Sequence, residues 1–153
     1  MAGSATTQAA ALTALCDLLV ARPGLADAVV VSAQFPIGFH GDKDVIELWA
    51  TEGQPQEFRS LGGRTSDEIY AIHAVAYAWS AGADEATVRD ARGKVERLID
   101  EVYAVLRASP ALGGAVRVTG YQNAGFDQGF DDTGRFCVCE FRVRCEARLG
   151  LGL

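Results

Sequence analysis

The chain has 153 residues, 49% of them hydrophobic and 22% charged, with a formal net charge of −6. That length and apolar content support one α+β domain over residues 1–153 with a real core, with only residues 1–6 expected to be disordered. The acidic balance excludes the basic footprint by which a protein grips nucleic acid.

From Thr7 onward, Ala11, Leu12, Leu15, Cys16, Leu18 and Leu19 recur at three- and four-residue spacing. They predict a helix with Thr6 or Thr7 as N-cap and Pro23-Gly24 as its stop. The surrounding apolar run lacks a basic leader and is interrupted by Asp17, so it reads as neither signal peptide nor membrane span. The expected setting is a reducing cytoplasm. Val29–Val31 and Val45–Glu52 read as strands, separated by a loop holding Gly38, His40 and Gly41-Asp42, and Phe58–Leu61 as a short strand ending at Gly62-Gly63.

Glu68–Ser80 predicts a long strand. Ile69, Ala71, His73, Val75, Tyr77 and Trp79 share one face, and Tyr70, Ile72, Ala74, Ala76 and Ala78 share the other. Both faces are apolar, which calls for a helix on one and a helix or a neighbouring subunit on the other. A second helix follows, with Val88, Ala91, Val95, Leu98, Ile99, Val102, Val105 and Leu106 as its stripe, Asp84 as N-cap and Pro110 beyond its end. Then come a strand over Ala115–Tyr121, a Gly/Asp loop over Asn123–Gly134 and a final strand over Phe136–Leu149. The expected fold is α+β, a mostly antiparallel four- to five-stranded sheet packed with two main helices.

Three of the four cysteines lie in that final strand. Cys137, Cys139 and Cys145 alternate onto one side with Phe141, Val143 and Ala147, while Glu140, Arg142, Arg144, Glu146 and Arg148 form a charged ladder on the other. The thiols therefore read as small core residues, because a zinc site needs about four ligands at matched spacing and His40 and His73 stand apart in the sequence. The ladder fits either a solvated face with cross-strand ion pairs or a surface fixing register between subunits.

Catalytic signatures are absent: LGGRTS lacks the lysine of a phosphate loop, and there is no Gly-x-Ser-x-Gly elbow. Asp127, Asp131 and Asp132 do not have the spacing of a helix-loop-helix calcium site. His40 with Asp42 and Asp44 fits an acid/base set or ordinary turn chemistry. A small cytoplasmic α+β enzyme or ligand-binding module centred on His73, Tyr77 and His40 thus stays open beside a structural reading. In the loop, Phe126 and Phe130 are too apolar to prefer exposure and Asp127, Asp131 and Asp132 resist burial, which fits either a segment, mobile in the free protein, that docks on a partner or a solvated hairpin loop whose phenylalanines fold back on the core.

The order of elements, with the segments LRASPALGG, AVRVTGY and GRFCVCEFRVRCEARL in its second half, resembles the tail terminator (tail completion) proteins of long-tailed bacteriophages. The resemblance implies a non-enzymatic virion protein without cofactor or metal, assembled in the host cytoplasm as a hexameric ring. Such a ring caps the tail tube protein, stops its polymerisation and joins the head-tail connector protein, with DNA passing through unbound. On that reading Ile69, His73, Tyr77, Trp79 and the ladder Glu140, Arg142, Arg144, Glu146 and Arg148 are subunit-interface residues. Phe126, Asp127, Phe130, Asp131 and Asp132 would then meet the tube or line the lumen. Another head-tail joining or neck protein fits the same size and acidity.

Overall fold

A computed structural model describes residues 6–32, 43–53, 57–58 and 65–150. The elements run α1 (Gln8–Val20), a single 3-10 turn (Pro23–Leu25), β1 (Val29–Ser32), β2 (Val45–Gly53), β3 (Glu57–Phe58), β4 (Thr65–Ala81), α2 (Glu85–Ala108), a second 3-10 turn (Leu112–Gly114), β5 (Val118–Phe130) and β6 (Gly134–Gly150). His40, Asp42, the segment Arg59–Leu61 and residues 1–5 lie outside the described residues.

Both helices form where the apolar spacing places them. Asp84 caps α2, its Oδ1 accepting from the Thr87 amide at 2.9 Å, and the stripe from Ala91 to Leu106 is buried. At α1 one of the two expected threonines serves, the Thr6 hydroxyl accepting from the Gln8 amide at 3.2 Å, and a carboxylate is added from the sheet. Thr7 occupies the N-cap position without capping through its own side chain, and the buried Glu68 carboxylate of β4 accepts from the Thr7 amide at 2.9 Å.

The sheet corrects the expected four to five strands. Among the described residues it has six, in the order β1-β2-β4-β6-β5, with β3 also on β4, and it is mixed because β1 runs parallel to β2. A parallel pair needs a crossover rather than a hairpin. β3 continues along the edge of β4 that β2 occupies, Glu57 facing Asp67 after Gly53 has faced Tyr70. The strongest pairing is β4 with β6, unbroken from Thr65↔Gly150 to Ala81↔Gly134.

The expected loop Asn123–Gly134 is a second correction. β5 continues through Phe130, paired to Arg135 of β6, and only Asp131–Thr133 turn. Glycine and aspartate usually signal a loop, but here the glycines serve the hairpin. Gly125, at φ 133°, follows Ala124, the extra residue of the bulge that shifts register after Asn123, and a Cβ on Gly129 would clash with the Phe136 ring. Asp131 closes the turn, its Oδ1 accepting from the Thr133 and Gly134 amides at 2.8 and 2.7 Å.

One face of the sheet packs against both helices. Tyr70, Ile72, Ala74, Ala76 and Ala78 of β4 and Cys137, Cys139, Phe141, Val143, Cys145 and Ala147 of β6 share a continuous core with Leu15, Leu19, Val95, Val102 and Leu106. The three β6 thiols are therefore core residues, as their alternation predicted. Burial pushes Cys137 up to about 11 and Cys145 to about 12, and raises Cys139. At pH 8 the thiolate of Cys137 is then about a hundredfold scarcer than that of a free thiol. Alkylation of the native protein should accordingly be slow at these three positions and faster at half-buried Cys16, with all four reacting at similar rates in denaturant. Because burial holds these groups protonated, they contribute stability fully present below the free-thiol pKa of about 8.5 to 9 and lost as pH rises toward 11 to 12. Denaturant midpoints should fall over that alkaline window, and a flat profile to pH 11 would contradict the assignment.

Candidate functional site

The opposite face of the sheet carries no helix among the described residues. Its side chains form a grid fixed by register. Across β4 and β6 the pairs run Asp67–Arg148, Ile69–Glu146, Ala71–Arg144, His73–Arg142, Val75–Glu140, Tyr77–Val138 and Trp79–Phe136. The grid divides into a charged half at the Asp67 end and an apolar, aromatic half at the Trp79 end. Ile69, Ala71, His73, Val75 and Trp79 are half-buried, so the second apolar face predicted for this strand exists and is only partly covered.

In the charged half the ladder is largely satisfied within the chain. Arg148 pairs with Asp67 at 3.1 Å, and Glu146 meets both Arg144 at 2.8 Å and Arg117 at 3.1 Å. Hydrogen bonds from those two guanidiniums hold the Glu146 carboxyl below its usual range. These are surface pairs, each worth about 0 to 1 kcal/mol, so they align strands more than they stabilise them. Arg142 and Glu140 are exposed and have no ion-pair partner among the described residues. A trough of about 300 Å³ opens here, lined by Glu52, Ile69, Ala71, Gln122, Arg142 and Arg144.

At the β2–β4 seam the sheet holds a cluster that sequence spacing could not assemble. His73 Nε2 lies 3.1 Å from Glu52 Oε2, and Trp49, the extra residue of the β2 bulge, tilts against the His73 ring at 5.6 Å. Glu47, opposite Val75 in register, is completely buried; Tyr77 donates to its Oε1 at 3.1 Å while Oε2 has no partner among the described residues. Burial, with the Glu47 charge second, raises the Tyr77 phenol above its ordinary value. A charge sequestered on one hydrogen bond is costly. Glu47→Gln keeps an acceptor for Tyr77 and removes the charge, so it should raise stability by about 1 kcal/mol, or about 2 to 4 °C in melting temperature. A lowered melting temperature would show the carboxylate to be better compensated than its contacts imply.

The β5–β6 hairpin tip lies at the far end from the trough. Phe126 and Phe130 are 42% and 77% exposed on the helix side, with the Arg135 guanidinium 5.3 Å from the Phe130 ring centre. Asp127 and Asp132 are exposed, while Asp131 is committed to the turn.

The structure thus gathers Ile69, His73, Tyr77, Trp79 and the ladder on one face and sets the tip residues apart from them. Asp44, grouped by sequence with His40, sits in a cleft beside Lys94, Arg97 and Glu101, away from His73. Burial raises its carboxyl and the two cations partly offset this. Among the described residues no three His, Cys, Asp or Glu side chains converge as a metal site would require, and no helix is long and apolar enough to cross a membrane. Glu47 and Trp49 were missed by sequence reasoning; the only available signal was a glutamate placed between Ile46 and Leu48 in an apolar strand. Scanned against known protein families and curated proteins, the chain matches none.

Proposed function

We propose that this protein is a structural assembly subunit, a tail terminator of a long-tailed bacteriophage, which closes into a hexameric ring on the tail tube and joins it to the head connector. The observation that carries this reading is the sheet face that bears no helix among the described residues, where half-buried Ile69, Val75 and Trp79 lie on the same face as Arg142, which has no ion-pair partner among the described residues. A lone chain leaves such a surface partly exposed, and a ring covers it by a contact between unlike patches of adjacent subunits. The net charge of −6 supports a passage through which DNA slides without being held.

The test has two parts. Native mass spectrometry and negative-stain imaging of the purified chain are expected to give a closed hexameric ring. Deletion of its gene from the phage is expected to give tails of uncontrolled length. A chain monomeric at every concentration, together with deletion tails of normal length, overturns the proposal. Deletion particles with tails of normal length that fail only to join heads would favour a neck protein instead.

A further inference from the structure

We propose that the outer edge of β5, over Val118–Asn123, pairs antiparallel with the same edge of a second copy of this chain, joining two sheets into one. β5 ends the sheet: β6 takes one side of it, and among the described residues the other side has no strand partner. At 13 residues it is a long edge, against the four residues of β1 at the opposite end. Every second residue of such a strand turns its N–H and C=O away from its neighbour, and another extended backbone satisfies that row of groups in full.

Edges that stay open in a monomer are usually blunted by charge, proline or a bulge. Val118–Phe126 carries no charged residue and no proline. Its one irregularity is the bulge at Ala124, which leaves Val118–Asn123 as a regular, uncharged run. Side chains leave room beside that run. Val118, Gly120 and Gln122 are exposed on the face opposite the helices, and a Cβ on Gly120 would meet nothing within 4 Å. Charge and symmetry choose a second copy as the occupant. Two chains of net charge −6 repel, and this neutral run lets their backbones meet with no carboxylate in the seam. Identical antiparallel strands are related by a two-fold axis, so each copy supplies the donors and acceptors that the other needs. Matching helix-covered face to helix-covered face, with the bulge outside the seam, centres the axis on Gly120 or Tyr121. A like-with-like contact closes at two copies, so it is separate from the unlike contact that a ring requires.

The test uses the full chain over a concentration series. Sedimentation should show a reversible dimer step, and hydrogen exchange over the same series should slow at alternate amides of Val118–Asn123 as the dimer fills. Gly120→Lys sets a cation of each copy at the seam and should weaken the dimer at least about tenfold. Gly120→Thr, neutral and β-branched, should dimerise at least as well as wild type. Thermal melting of both variants checks that the fold is kept, and the wild-type exchange measurement stands without either. A chain monomeric at every concentration, a dimer whose β5 amides exchange as fast as the monomer's, or a folded Gly120→Lys variant that dimerises as wild type does overturns the pairing. Hexamers with unprotected β5 amides reject the pairing and leave the ring standing. Dimers with protected β5 amides that never go on to rings keep the pairing and count against the ring.

Discussion

Replacing Phe141 by alanine should cost about 3 to 5 kcal/mol and lower the melting temperature by about 10 °C or more. Phe141 is 1% exposed at the centre of the helix-facing sheet surface, opposite Ala74 on β4. Its ring stacks on Tyr121 at 5.5 Å, and Tyr121 meets Tyr103 of α2 at 4.4 Å, so three aromatics join β6, β5 and the helix in one column. Directly opposite on β4 stands Ala74, with Ala76 on one diagonal, and these small side chains cannot fill the gap. Removal therefore forfeits both the transfer energy of the ring and the contacts around the cavity. Phe141→Leu should recover more than half of the loss, since a γ-branched side chain refills much of the space. Chemical denaturation of both variants gives the measurement. A cost for the alanine variant below about 1 kcal/mol would mean that α2 settles onto the sheet without the aromatic column.

How far such features could be read in advance depended on whether local pattern or long-range contact decides them. The apolar stripe of α2, the alternation of Cys137, Cys139 and Cys145, and the two-faced β4 are period signals, and each appears where the spacing put it. The hairpin tip was misread because glycine and aspartate are turn formers by propensity, while here Gly125 and Gly129 answer to a bulge and to the Phe136 ring, contacts made only after β6 is paired. The parallel β1–β2 pair was hidden for a related reason: hydrophobic alternation carries no strand direction. The site divides in the same way. The face holding Ile69, His73, Tyr77 and Trp79 follows from alternation alone, whereas the ion pairs of Arg148 and Glu146, and the Glu47–Tyr77 and Glu52–His73 pairs, depend on register between strands distant in sequence. The carboxylate that caps α1 is the extreme case, brought to Thr7 from sixty-one residues away.

That cap should be worth nearly as much as a core side chain. The N-terminus of a helix leaves amides unpaired and favours negative charge, and a 13-residue helix in isolation is marginal in water. α1 has no acidic residue in its first turn, so Glu68 supplies the anion from β4. Its Oε2 accepts from the Thr7 amide at 2.9 Å and the Thr7 hydroxyl at 3.1 Å, and its Oε1 accepts from the Thr6 hydroxyl. Thr7 in turn is 2.7 Å from the Tyr70 hydroxyl, and Gln8 accepts from Thr51 of β2 at 2.6 Å, so the carboxylate sits at the centre of a network pinning the helix to two strands. With Glu68 3% exposed, Glu68→Ala strands these donors in a poorly solvated pocket and should cost about 2 to 4 kcal/mol. Glu68→Gln keeps an acceptor but turns an amide group toward the Thr6 and Thr7 donors, and should cost about 1 to 2 kcal/mol. The distinguishing signature is local. Amides of Gln8–Val20 should lose hydrogen-exchange protection in both variants well before those of β4, β6 and α2, because the cap holds one helix and the sheet core stands without it. Loss of protection spread evenly over the chain would mean that α1 unfolds only with the whole molecule. Unchanged stability in Glu68→Ala would mean that water replaces the carboxylate at Thr7 without penalty.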